Sequence, residues 1–197
     1  MKKNIVFIGG GGHSLVCADI INQSNNLILA GFVDIDKNAL LSKKGYECLG
    51  EDQDLEILAK KYKYFFITFG QIKSPHKRIK VFKNILEVGG CFPVLKSNFS
   101  YVSPSVEVGK GSLIMNGCVV NSYASIGQNC IINSNSVIEH EVKIESHVHI
   151  APSAIILGNA TIKEGTFIGA GSIIREGVTI KKNSVIKAGD RVMQDLL

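Results

Sequence analysis

No stretch of the 197 residues approaches the ~18 consecutive apolar residues that a membrane-crossing helix needs. A secretory leader is not expected either. Met1-Lys2-Lys3 leads through Asn4 to Ile8 straight into glycines, too short for a signal hydrophobic region and readable as a strand. The five cysteines (Cys17, Cys48, Cys91, Cys118 and Cys130) are odd in number and have no metal-type spacing. They are expected to be reduced, buried thiols of a cytoplasmic protein. No Ser-His-Asp or cysteine nucleophile arrangement is evident, which disfavours covalent catalysis. Nucleic-acid motifs and an aromatic platform are missing as well. The net charge of +5 comes mainly from lysine, with Lys163, Arg175, Lys181, Lys182, Lys187 and Arg191 late in the chain. These residues read either as a solvated surface or as a surface for phosphates.

What is present is a strict period. From Val102, every sixth residue is Val or Ile, through Val108, Ile114, Val120, Ile126, Ile132, Ile138 and Ile144, and on to Val192. Four residues after these positions sits a small or short residue, such as Ser112, Cys118, Ala124, Cys130, Ser136 or Ala154. Glycine often follows directly or by three. A helix repeats near 3.6 and a half-buried strand at 2, so a period of 6 fits neither. It fits a parallel β-helix in which each hexad is one short extended side plus a corner. Sixteen hexads, three to a coil, give about five coils, and each residue lies above the one eighteen positions earlier. Coils stack about 4.8 Å apart. Tyr123 and outward aliphatic residues are expected on flat faces that bury between subunits.

Residues 1–96 follow a different pattern, with residues 97–197 forming the β-helix. Strands are expected at Lys3–Ile8, Leu27–Val33, Tyr64–Thr68 and Cys91–Leu95, and helices at 15–22, 52–61 and 75–88, with Lys96–Ser100 as linker. Alternating strands and helices imply a small Rossmann-like parallel α/β domain. From Gly9 the loop reads G-x-G-x-x-S, with Asp34 twenty-five residues on. A strand, a glycine turn and a helix N-terminus together make a phosphate cradle, though fewer than a hundred residues supply only half a dinucleotide site. A glycine-rich turn without a ligand is the alternative.

Chemistry concentrates at Glu139-His140-Glu141, where two carboxylates flank a histidine among hexads that otherwise expose Asn, Ser, Gly or Lys. Histidine suits a general base at neutral pH, and an adjacent carboxylate can fix its tautomer. The eighteen-residue offset sets Gly158 directly above His140, leaving a backbone amide accessible beside the imidazole as an oxyanion donor. His147 and His149 follow within a hexad. They alternate as metal ligands could, but spacing supplies no third ligand, so no metal is expected.

Taken in order, Gly9 to Asp19, Asp34 and Asp36, Gly70-Gln71-Ile72-Lys73-Ser74-Pro75 and the hexads resemble one family over nearly the whole chain. It comprises the hexapeptide-repeat sugar acetyltransferases: sialic-acid O-acetyltransferase-like proteins and N-acetyltransferases of nucleotide-linked 4-amino-sugars. The resemblance implies a left-handed β-helix, acetyl-CoA as co-substrate and a homotrimer with sites between neighbouring prisms. It implies that Gly11, Gly12, His13 and Asp34 lie near the nucleotide or pyrophosphate, with Gly70 and Gln71 at the next strand's carboxyl end. It makes His140 the base, Glu141 its orienting acid, His149 a second site histidine and Gly158 the amide facing the acetyl group. His147 has no counterpart and reads as a surface histidine. Many relatives continue past the last coil with a segment that contacts coenzyme A. Here the sequence reads Met193-Gln194-Asp195-Leu196-Leu197, so a shorter or differently capped acetyl-CoA site is expected. The activity implied is direct acetyl transfer to the amino group of a UDP-4-amino-4,6-dideoxy-sugar type substrate. The alternatives are O-acetylation of sialic or a related nonulosonic acid, or a sugar-nucleotide-binding scaffold without activity.

Overall fold

Runs of β-branched and aromatic residues build the first sheet. β1 (Lys3–Ile8), β2 (Leu27–Val33), β3 (Cys48–Gly50) and β4 (Tyr64–Ile67) pair in parallel in the order β3-β2-β1-β4. This is the computed structural model of the chain, and it describes residues 2–196. Phe7 lies between Phe32 and Phe66 in the register. The helices are α1 (Gly12–Asn22), α2 (Leu55–Lys61) and α3 (His76–Glu87). α1 begins in the glycine loop itself, three residues earlier than its apolar spacing suggested. Ser74 Oγ accepts from the His76 N–H at 3.2 Å, the ordinary way a helix start satisfies an orphan amide. One core packs Val6, Ile8, Phe65 and Ile67 against Val81, Phe82 and Ile85, with Phe82 stacked on Phe92 at 4.5 Å. The fourth strand is Cys48–Gly50 and not the expected Cys91–Leu95. Cys91 makes only a single bridge to Tyr64, because the two residues between Gly90 and Pro93 offer too little extended chain.

The chain divides into two units. Residues up to Gly70 group with Arg78–Leu95, and Gln71–Lys77 group with Lys96 onward. In the second unit, two-residue strands recur every six residues and stack into three parallel faces of five, six and six strands. Val119 pairs with Val137 and Val137 with Ile155, so the rungs are eighteen residues apart. The winding is a left-handed β-helix. Ile114, Val120, Ile132, Ile138, Ile150 and Ile156 are all 0% exposed. Full burial of each contributes about 2 kcal/mol. The small residues four places on are buried too, and sterics are only half the reason. Ser112 donates to the Gly127 carbonyl at 2.7 Å, Ser136 to Ala151 at 3.0 Å, Thr166 to Lys181 at 2.9 Å and Ser172 to Lys187 at 2.8 Å. Each hydroxyl therefore ties its corner to a carbonyl of the next coil, and for Gly127 it is the one donor among the described bonds. Leu95–Lys96, expected within or beside a linker, adds a strand at the end of one six-stranded face.

Corners impose a second period. From Gly111 to Gly189, the third residue after each aliphatic position is left-handed, with φ between 54° and 76°. That backbone costs a residue with a Cβ roughly 1–2 kcal/mol, least for Asn. Gly or Asn fills the position at ten of the fourteen corners; Tyr123, Glu141, His147 and Ser153 are the exceptions. Tyr123 is thus a corner residue with φ 60° and 75% exposure, and not the flat-face residue expected.

Candidate active site

His140 and Glu141 occupy the corner that follows the Val137–Ile138 strand. The Glu141 N–H donates to the Ser122 carbonyl one coil below, and the Asn159 N–H donates to the His140 carbonyl from one coil above. Two vertical columns result, Ser122-His140-Gly158 and Tyr123-Glu141-Asn159. His140 Nδ1 lies 3.1 Å from Glu141 Oε2, with both side chains exposed. A carboxylate can only accept, so Nδ1 carries the proton and Nε2 keeps its lone pair. The ring lies over Gly158: a Cβ there would sit 2.6 Å from His140 Cε1 and 2.8 Å from Nε2. With the imidazole in this position, only glycine fits against it. The Gly158 N–H finds no acceptor among the described residues, so an oxyanion could take it. Glu139 points elsewhere, accepting from Asn121 Nδ2 at 3.0 Å. Of the two flanking carboxylates, only Glu141 serves the histidine.

His149 stands on a different part of the coil. It lies in a strand, nine residues from His140, and nine residues is half a coil; the corner and this face point away from each other. Its Nδ1 donates to the Gln71 carbonyl at 2.8 Å, and its Nε2 lies 3.3 Å from Asn133 Nδ2. The Phe167 ring edge packs at 5.2 Å. With Nδ1 protonated toward a carbonyl and Nε2 receiving an amide, this histidine is neutral and engaged at both ends, unlike His140. Gln71 clasps the same rung a second time, its Nε2 donating to the His147 carbonyl at 2.6 Å. Its Oε1 is buried without a partner.

His147 is not a surface histidine. It is 4% exposed, at a corner with φ 62°, and its Nδ1 meets Asn129 Nδ2 at 2.9 Å. Column stacking causes this: Asn129 lies eighteen residues below, and its amide draws the ring in. His147 and His149 therefore do not share a face. No group of three His, Cys, Asp or Glu among the described residues is placed to hold a metal ion. Cys118 and Cys130 are core, each 0% exposed, and burial pushes the Cys17 thiol up to about 12. None of these three is a nucleophile.

In the first unit the glycines divide by function. A Cβ on Gly10 would meet Phe32 and Ala39 at 2.7 Å, whereas Gly11 and Gly12 have nothing within 4 Å. Gly10 is there for packing, and the next two present bare backbone. The Gly11, Gly12 and His13 amides have no acceptor among the described residues. Asp34 holds the loop in place: Oδ2 accepts from Gly10 N–H at 2.7 Å and Oδ1 from Asp36 N–H at 3.0 Å. His13 Nε2 is buried without a partner. Burial first, then the nearby Arg78 charge, lowers the His13 pKa from 6.5 to about 4. Gly70 ends the first segment of that unit, and Gln71 belongs to the second unit.

Asn121, Asn129, Tyr123 and Asn133 were given no place at this site by the sequence. The eighteen-residue offset gives the first three, since 121, 129 and 123 lie beneath Glu139, His147 and Glu141. Asn133 has no such signal, because its amide reaches His149 diagonally.

The sequence matches the PglD N-terminal domain over residues 4–85. It matches the bacterial transferase hexapeptide (six repeats) family over 123–158 and 159–189. No curated protein sequence matches the chain. Among solved structures, a perosamine N-acetyltransferase from Caulobacter crescentus, in a histidine-substituted form with CoA and GDP-perosamine, is 29% identical. That match covers 98% of this chain and 90% of the other, with a TM-score of 0.91. The acetyltransferase domain of PglB from Neisseria gonorrhoeae is 25% identical over 100% of this chain and 94% of its own, with a TM-score of 0.90. The same domain with acetyl coenzyme A bound matches at a TM-score of 0.87, again 25% identical, over 98% and 93%.

Proposed function

Because this chain belongs to the hexapeptide-repeat sugar acetyltransferases with a PglD-type N-terminal domain, we propose that it transfers acetyl from acetyl-CoA to the amino group of a nucleotide-linked amino-sugar. The observation that carries the reading is the His140–Glu141–Gly158 corner. His140 Nε2, unengaged over a glycine, takes a proton from the sugar's neutral amine as its nitrogen attacks the thioester carbonyl. The C–N bond forms, charge gathers on the carbonyl oxygen, and the Gly158 N–H supports it. The C–S bond then breaks, and His140 returns the proton to the leaving thiolate. Glu141 keeps Nδ1 protonated throughout and steadies the imidazolium. The exposed Gly11 and Gly12 backbone, braced by Asp34, would hold the pyrophosphate at the start of α1. GDP-perosamine in the Caulobacter enzyme supports a nucleotide-linked acceptor.

His149 acts as a binding group in this scheme. Since it and the His140 corner face apart within one prism, they meet only if a second copy brings its own histidine face to this corner. That supports a homotrimer with sites between subunits. We place the enzyme in the cytoplasm, where acetyl-CoA and five unpaired cysteines are both at home.

A thiol-release assay with acetyl-CoA over a panel of UDP-, GDP- and CMP-linked amino-sugars, with sialic acid as the hydroxyl acceptor, tests the reading. His140→Ala should lose about 10²–10⁴ in kcat, Glu141→Ala less, and the double variant no more than His140→Ala. Near-normal turnover by His140→Ala would remove it from the mechanism.

A further inference from the structure

We propose that Tyr123 is a specificity-determining residue, its ring forming the wall on which the acceptor sugar rests while the amine faces His140. This rests on the function proposed above. Three observations carry it. Tyr123 stands one coil beneath Glu141 in the same corner column, and the Glu141 N–H bonds the neighbouring Ser122 carbonyl. Coil spacing puts the two residues about 4.8 Å apart along the prism. Its side chain is exposed, 75% for the whole residue, so no packing within the chain requires an aromatic there. Its backbone is left-handed, φ 60°, where this chain elsewhere prefers Gly or Asn. An aromatic residue kept where it is strained, solvated and beside the base is kept for what its ring meets.

The backbone is pinned from below, with the Tyr123 N–H donating to Ser105 Oγ at 3.0 Å. The ring therefore projects from a fixed point. An aromatic face suits the apolar C–H side of a pyranose, and the phenol oxygen can meet a ring hydroxyl. A deoxy-sugar, with its extra apolar carbon, gains most from such a wall.

The test is Tyr123→Asn, which removes the ring and accepts the left-handed backbone, beside Tyr123→Phe, which keeps the ring. Steady-state kinetics should show the acceptor KM raised about tenfold in Tyr123→Asn, the size of one good aromatic contact. The acetyl-CoA KM should stay unchanged, and Tyr123→Phe should stay within about threefold of the parent. An unchanged acceptor KM in Tyr123→Asn would overturn the assignment while the proposed function stands. Dissociation of Tyr123→Asn into monomers on light scattering would also overturn it, reassigning the ring to a subunit contact. A parent protein inert toward every acceptor would overturn the proposed function, and this assignment with it.

Discussion

Gly158→Ala separates fold from chemistry at a single methyl group. The added Cβ would stand 2.6 Å from His140 Cε1, against an ordinary carbon–carbon contact of about 3.5 Å. Something must therefore move by about 0.9 Å, and the imidazole is the free partner, since it is the exposed end of a side chain. Its displacement breaks the 3.1 Å bond to Glu141 and carries Nε2 off the attack line. A misplacement near 1 Å costs about 10²-fold, or roughly 2.7 kcal/mol on the barrier. The backbone itself does not object, because Gly158 is not among the residues with positive φ. Removing glycine stiffens the unfolded chain, which stabilises by about 0.4–1 kcal/mol. The expected variant is as heat-stable as the parent or up to about 4 °C better, and about a hundredfold slower in thiol release at saturating substrates. Full activity would refute the stacking of His140 on Gly158, and a lower Tm would refute the reasoning about where the methyl group goes.

Two further outcomes concern the first unit. Gly12→Val should raise the sugar-nucleotide KM strongly and leave the acetyl-CoA KM and denaturant midpoint nearly unchanged, because only open space surrounds it. Gly10→Val, pressed on Phe32 and Ala39, should destabilise by about 1–3 kcal/mol; equal behaviour of the two variants would count against the division of the loop. For His13, both folded and unfolded chains are neutral above pH 6.5. As pH falls from 6.5 toward about 4 only the unfolded chain takes the proton, so stability is lost across that window, by roughly 3 kcal/mol at full extent. Urea unfolding at pH 7 and pH 5 should show a smaller drop for His13→Asn than for the parent, and an equal drop would remove His13 as the cause.

The β-helix was legible because its aliphatic column is enforced by burial at every rung, and Ile114 or Ile156 tolerates no polar substitute. Gly158 over His140 was legible through the same offset. What escaped the reading lies off that column. The burial of His147 is set by an amide one coil below and by Gln71, seventy-six residues away in sequence. β3 escaped because three residues, Cys48–Gly50, carry too short an alternation to register as a strand. Tyr123 was expected on a flat face, whereas its left-handed φ of 60° marks a corner, a place fixed by backbone geometry and not by residue type. The pairing of His149 with Gln71 joins residues seventy-eight apart, which no local pattern encodes.

The eighteen-residue rung spacing also constrains how such a gene can change length. One residue added within a side would turn every later isoleucine outward, and six would rotate each later column by one face, parting His140 from its glycine. Eighteen would leave every column in line. Lineages of this protein can therefore lengthen or shorten the prism only in whole coils, while at the corners, where the chain already turns toward water, new loops of any length can enter freely.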